Sequence, residues 1–445
     1  MSLEILDQYL FNIYEKPGRI ETMSKRANPF LSLVDTRMQS GENFQQPISI
    51  NGGRAWASSR TEAQAISNTS AGNGQVSKWI SYVGKIAGNL KISHDEIAGT
   101  GGDKEATAAF ARALSFKVDN HLSEFGGLMS RSILGPAGMY VFTGQIVSGV
   151  ITLTSANADR VAEVELGDQL QASADDASSS AHTLLGASSI GYLTARTIEG
   201  SSPTVTVSTT PGGSAGTPAG WTESTTIYFY RVGDFKGGID TGAKFGHRID
   251  SIQAWVPATT SVLTTFKGVV RTQDTRLFGV RLLSTDDAVT SGNIESVLES
   301  LNDLGRSRYG FKNMKKVFMH TSRFRQLSRS LESRRWRDAS ASTRKSGEGS
   351  AEFSYAVISM TTTSGAYEVI DDPTMPVDYA LMTDPDDWEI VTWSGFPQIL
   401  SEDGVKMLRQ STADDYEMRH LVYPSFKLKE DRQISQTGRT PLPAA

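Results

Sequence analysis

The chain has 445 residues, 38% hydrophobic and 21% charged, with 44 Lys and Arg against 49 Asp and Glu and no cysteine. That length supports two to four domains at roughly 150 residues each, and the composition excludes wholesale disorder and collagen-like or membrane-embedded classes. A net charge of −5 argues against a free nucleic-acid binder, while zero cysteine excludes disulfides, zinc–thiolate sites, iron–sulfur clusters and cysteine nucleophiles.

The first residues, Met1-Ser-Leu-Glu-Ile-Leu-Asp7, carry acids where a secretory signal needs bases, and no apolar run reaches about 18 residues. The expectation is a soluble product with no membrane segment. Residues 1–46 are mixed in charge and broken by Pro17, Gly18, Pro29 and Gly41, with short apolar clusters such as Phe30, Leu31, Leu33 and Val34. A segment of this kind seldom builds its own core. It reads either as a leader helix and linker or as an arm packed on another subunit.

Residues 47–92 hold two strand-like stretches, Ile48-Ser-Ile50 and Val76 to Ile86, flanking the small polar run Ser67 to Gly74. This predicts a long two-stranded loop with a loose tip. An isolated ribbon is marginal in water, so Trp56, Trp79 and Tyr82 need a surface, either the chain's own core or a neighbouring subunit. The candidate inter-subunit contacts are Arg54, Trp56, Arg60, Lys78, Trp79 and Tyr82.

From Asp103 to Leu134 the texture becomes helical. Ala106, Phe110, Leu114, Val118, Leu122, Phe125, Met129 and Ile133 recur every three or four residues, which predicts one stripe of a helix about eight turns long. Asp103 is its candidate N-cap, Gly126-Gly127 a point of bending or early ending, and Gly135-Pro136 a firm stop. Residues 137–236 are dominated by Ser, Thr and Gly, with strand candidates at 147–153, 191–198, 204–209 and 225–232. They read as a small sheet or barrel inserted after the helix.

From 237 to 400 the pattern is mixed α/β. Ile294, Val297, Leu298, Leu301 and Leu304 form a helix stripe with Gly305 as the expected C′ residue, Lys316 to Met319 a strand, and Phe324, Leu327 and Leu331 a second helix. A Ser/Gly/Arg-rich loop is expected over 337–352. Extended segments follow at 367–370, 380–382, 389–393 and 414–423, before a charged tail.

Catalytic patterns are wanting. The six histidines at 94, 121, 182, 247, 320 and 420 lack metal-ligand spacing, and Gly99-Thr-Gly-Gly102 lacks the Lys-Ser/Thr end of a phosphate loop. Asp384, Asp386 and Asp387 make half a cation motif, and the adjacent pairs Asp371/Asp372 and Asp414/Asp415 point to opposite faces of an extended chain. The expectation is a protein that is not an enzyme, with no cofactor and no metal. Charge distribution is more telling: from Gly305 to Lys345 there are thirteen bases against two acids, and from Asp371 to Asp415 eleven acids against two bases. Such blocks fit steering of identical copies, solvated faces, or a basic face toward nucleic acid.

The order of parts resembles the major capsid proteins of tailed bacteriophages, the Hong Kong 97 fold. The likeness is carried by Val369-Ile-Asp-Asp-Pro373, Ala380-Leu-Met382, Asp387-Trp-Glu-Ile390, Gly395-Phe-Pro397, Asp403-Gly404, Leu408-Arg409 and Asp414-Asp-Tyr-Glu417, and by Phe266-Lys-Gly-Val-Val-Arg271 with Asp274 and Arg276-Leu-Phe-Gly279. It covers the chain apart from about 137–236. The resemblance implies an α+β capsid fold with an N-terminal arm (1–46), an extended loop over a neighbour (47–92) and a peripheral domain with the spine helix (93–136). A β-rich insertion (137–236), an axial and peripheral α/β region (237–400) and a C-terminal return to the peripheral domain with a tail (401–445) complete it. It further implies hexamers and pentamers in an icosahedral head, a separate scaffolding protein and portal, packaged double-stranded DNA held without sequence specificity, and residence in the virion after assembly in the host cytoplasm. An encapsulin-like compartment and a β-rich tail or adhesin subunit are the alternatives.

Overall fold

A computed structural model describes residues 28–41, 43–50, 57–68, 75–93, 104–154, 160–175, 184–186, 189–198, 203–234, 249–290, 293–311, 315–332, 341–346, 353–362, 365–393, 398–400, 407–409, 415–430 and 432–443. The N-terminal part runs α1 (Pro29–Leu33), β1 (Asp35–Met38), β2 (Asn43–Ile50), α2 (Arg60–Ser67), β3 (Gln75–Tyr82), β4 (Ile86–Ile92) and α3 (Lys104–Leu134). Six strands follow: β5 (Phe142–Val147), β6 (Val150–Leu153), β7 (Gln169–Ser173), β8 (Gly191–Thr197), β9 (Thr204–Ser208) and β10 (Thr226–Arg231). Next come α4 (Ile252–Trp255), β11 (Thr265–Phe266), β12 (Val269–Val270), β13 (Val280–Arg281), α5 (Asp287–Thr290), α6 (Ile294–Leu304), β14 (Lys315–Met319), α7 (Thr321–Glu332) and β15 (Ala341–Ser346). The chain ends with β16 (Phe353–Thr362), β17 (Gly365–Asp371), β18 (Tyr379–Thr383), β19 (Trp388–Thr392), β20 (Gln398–Ile399), β21 (Met407–Arg409), β22 (Tyr416–Val422), β23 (Pro424–Leu428) and β24 (Gly438–Pro441).

The long helix forms as its spacing predicts. Leu114, Val118, Leu122, Phe125, Met129 and Ile133 are all buried along one stripe, while the side chains of Ala106 and Phe110, and Asp103 as a whole, lie outside the described residues. The helix runs unbroken through Gly126-Gly127; each glycine costs only about 1 kcal/mol there, less than the flanking stripe gains by burial. It stops at Leu134, just before Gly135-Pro136, since proline cannot continue a helix; glycine is required at 135 because a Cβ there would lie 2.3 Å from the Arg131 carbonyl oxygen. Its last carbonyls are not orphaned. Tyr379 Oη and Gln253 Nε2 donate to Leu134 O, and Ser251 Oγ donates to Gly135 O.

Seven strands form the largest sheet, in the order β13-β24-β18-β14-β17-β16-β15. Alternation splits its side chains between two cores. Phe318, Val357, Ile370 and Leu381 join the core of α3 and the ribbon, while Val317, Met319, Ile358, Val369, Ala380 and Met382 join that of α6 and α7. A sheet covered on both faces needs continuous apolar runs, which is why Val317-Phe-Met319 and Ala380-Leu-Met382 show no polar alternation. A second sheet centres on β22, with β4 along one edge and β20 and β21 on the other, and a third has the order β1-β19-β23.

The Ser/Thr-rich insertion is a closed six-stranded barrel, β10-β5-β6-β9-β8-β7, around Phe142, Ile151, Val205, Val207, Trp221, Phe229 and other residues of its own. Three expectations are corrected. Gly305 is not the left-handed C′ residue: its φ is −60°, the helix continues as a wide turn to Tyr309, and Gly310 at φ 68° takes that role. Gly305 is required for space, since a Cβ there would lie 2.3 Å from the Phe311 ring. The region 337–352 is not wholly loop, because β15 pairs with β16 as an edge strand. Finally, Ile86 does not extend the second ribbon strand. It opens β4, which pairs with β22 from the far end of the chain.

Candidate assembly surface

The ribbon pairs β2 with β3 in antiparallel register from Asn43↔Tyr82 to Ile50↔Gln75. The pleat sends alternate residues to opposite faces. Phe44, Gln46, Trp79 and Ser81 are buried on one face; Gln45, Pro47, Ser49, Val76 and Lys78 are exposed on the other. Trp79 is only 1% exposed, with its ring 5.5 Å from Trp255 and 5.9 Å from Phe266, so it belongs to the chain's own core and is not a surface aromatic awaiting a neighbour.

A second hairpin seats this ribbon. Lys267 (φ 50°) and Gly268 (φ 81°) form the two-residue turn between β11 and β12, a geometry in which both central residues take positive φ. The Lys267 carbonyl accepts the Ile80 N–H at 3.0 Å, and Lys267 Nζ lies 2.5 Å from Asp250 Oδ2, both side chains being almost wholly enclosed. Arg271, with no exposed surface, donates to Ala254 O at 3.0 Å and places its guanidinium 4.1 Å from the Phe266 centroid and 5.4 Å from that of Trp79. These residues lie in the stretch Phe266 to Arg271, and their roles as a clamp rest on partners distant in sequence.

Beyond the clamp one face of the ribbon still lies on the body, with Ile50 in the main core, Phe44 and Val83 packed against Val391, and Gln46 Nε2 donating to Lys429 O at 2.8 Å. Lys78 is exposed and donates to Gln45 Oε1 at 2.8 Å across the strands; Tyr82 is half-buried; Arg60 is exposed at the start of α2; Arg54 and Trp56 lie outside the described residues. Helix α2 is unexpected. Of its seven described side chains six are exposed and one, Ala63, is half-buried. An eight-residue helix is marginal in water without packing. Its Ile66 is 38% exposed, and the neighbouring strand leaves Val76 at 79%.

The arm is anchored from residue 28 onward. The Phe30 N–H donates to Asp372 Oδ2 at 2.9 Å, the Phe30 ring packs edge-on to Phe318 at 5.0 Å, and β1 runs parallel to β19. Burial pushes the Asp372 carboxyl up, against the bonds it accepts from Thr374 and Phe30. The two charge blocks also meet inside one chain: Lys315 Nζ is 3.5 Å from Asp387 Oδ2, both buried, and Thr321 Oγ1 donates to Asp371 Oδ1 at 2.6 Å. Desolvation lowers the Lys315 ammonium pKa and raises that of the Asp387 carboxyl. Among the described residues no three His, Cys, Asp or Glu side chains gather to hold a metal ion, and no helix is long and apolar enough to cross a membrane.

No family model matches the chain, and no curated protein matches it. Among solved structures, it is similar to a chain of the cyanophage A-1(L) capsid asymmetric unit, with 9% identity over 94% of this chain and 93% of that one and a TM-score of 0.45. It is likewise similar to a chain of the satellite phage P4 procapsid that includes the size determination protein (9% identity, 96% and 99% coverage, TM-score 0.37). A third is the virus-like particle from Pyrococcus furiosus (7% identity, 98% of both chains, TM-score 0.34). At that level no residue role passes from those shells to this chain, and its function has to come from its own geometry.

Proposed function

We propose that the chain is the major capsid protein of a tailed bacteriophage: a structural subunit of the Hong Kong 97 fold that joins copies of itself, as hexamers and pentamers, in an icosahedral head around double-stranded DNA. The observation that carries this reading is α2. A short helix between the two ribbon strands, with six of its seven described side chains exposed, is explained if a neighbouring copy supplies the missing surface. The order of parts supports the same reading: arm, ribbon, long helix, two-faced sheet, and a final strand that returns to that sheet between β13 and β18. In that scheme α3 with the β22 sheet is the peripheral region and the seven-stranded sheet with α6 and α7 the axial one. The barrel is an insertion between them. A net charge of −5 suits a container that holds packed DNA without gripping it, with a scaffolding protein and a portal as further partners.

Electron microscopy of the purified protein tests the reading. Hollow closed particles with five-fold vertices are expected. A compact monomer at every concentration, or tubes and trimers, overturns it, and particles that enclose protein cargo in place of DNA point to the compartment alternative.

A further inference from the structure

The long helix is seated on the β22 sheet through two imidazoles. His121 of α3 and His420 of β22 have ring centroids 4.8 Å apart and planes tilted by 47°. His420 stands opposite Gly88 in the β4–β22 register, and the His121 ring takes the space above that glycine, where a Cβ would lie 2.9 Å from its Nε2. His420 is 1% exposed, and neither of its ring nitrogens has a hydrogen-bond partner among the described residues; nor has Nε2 of His121. Three enclosed imidazole nitrogens without partners are rare in a settled core. A cavity of about 570 Å³ between α3, β4 and the barrel is lined by His121 but not by His420.

We propose that the His121–His420 pair is a proton-operated joint between the long helix and the C-terminal sheet, packed while both rings are neutral and loosened when acid charges one of them. This goes beyond the capsid reading and stands without it. The charged groups around the pair leave it uncompensated. On α3, Glu124 favours a charged His121, but less than burial opposes it, and Arg131 lines the same cavity. From the barrel, Glu163, Glu165, Asp168 and Arg231 line the far side, with Glu163 bonded to Arg160 and Asp168 paired to Arg231. On β22, Glu417 is bonded to Arg419 and to Asn89; on β4, Lys91 is paired to Asp415; β20 has no charged residue.

Burial, with a smaller contribution from His121, pushes the His420 ring down to about 4, and burial lowers His121 as well. A base depressed in the folded state binds protons more readily once released, so the joint is at full strength above about pH 6.5 and weakens as pH falls toward 4. The raised carboxyls of Asp372 and Asp387 have the opposite sign, favouring the folded state as pH falls.

Hydrogen exchange of the full chain from pH 7 to pH 4.5, corrected for intrinsic rates, reads the joint directly. Protection in 114–125 and 416–422 is expected to fall on the order of fiftyfold, while barrel strands stay protected, and His420→Phe should remove the fall. An equal fall in His420→Phe, or none in the unaltered chain, overturns the proposal. Should that variant fail to fold, ring NMR of the unaltered chain decides: titration of His420 near 4 supports the joint, and titration near 6.5 sinks it.

Discussion

Lys78 and Trp79 are adjacent in sequence and opposite in fate, because the pleat of β3 turns one to solvent and the other under the ribbon. Trp79 closes an aromatic cluster with Trp255 and Phe266 over the buried Arg271. Trp79→Ala should therefore cost about 3–5 kcal/mol in subunit stability, measured by denaturant unfolding. Lys78→Ala should change it by less than about 0.5 kcal/mol. An unchanged midpoint for Trp79→Ala, with only assembly lost, would return Trp79 to the outer surface. The two strand-like stretches were visible in the sequence. Which face met the core was not, because that depends on the β11–β12 clamp nearly two hundred residues away, and on ion pairs such as Asp250–Lys267 that have no spacing of their own.

Among elements, α2 carries most of the consequence for assembly. Ile66 belongs to none of the hydrophobic cores of the described residues, so Ile66→Asp should leave the unfolding midpoint of the subunit within about 0.5 kcal/mol. The same change should abolish or strongly reduce closed particles seen by electron microscopy, and normal particle yield would remove α2 from the interface. Helices with a long apolar stripe, α3, α6 and α7, were legible because 3.6-residue periodicity survives without knowledge of the partner. Helix α2, with Arg60-Thr-Glu-Ala-Gln-Ala-Ile-Ser67, has no stripe to read. Four barrel strands were legible as Ser/Thr-rich extended runs. Strands β5 and β7 were not among those runs; in β5, Gly144 is needed because a Cβ would lie 2.6 Å from Thr152 O. Edge strand β15, Ala-Ser-Thr-Arg-Lys-Ser, is polar throughout and resembles a loop in composition.

At the scale of the whole molecule, the estimate of several self-contained domains resolves, among the described residues, into two large cores sharing one sheet, a third enclosed by the barrel, and a small cluster of Phe44, Val83 and Val391 under the ribbon. The sharing matters for how the molecule comes apart. Phe318 and Val317 are neighbours on β14 yet belong to different cores, so neither of those two can be removed without stripping one face of the sheet. The barrel is different. It leaves and rejoins the body through adjacent antiparallel strands, with Phe142 opposite Phe229 and the Val141 N–H donating to Phe229 O at 2.7 Å. Backbones paired in this way lie about 5 Å apart, close enough for a few Gly and Ser residues to bridge. Replacing residues 142–231 with such a linker should leave a folded remainder that keeps the helical circular dichroism of α3 and a cooperative thermal transition. The excised barrel, with its own closed hydrogen-bonding ladder and no open sheet edge, should show a separate transition by calorimetry. A remainder that melts without cooperativity would mean that the barrel holds α3 in place through the surfaces around Arg160 and Glu163, and that the insertion is a structural part of the body.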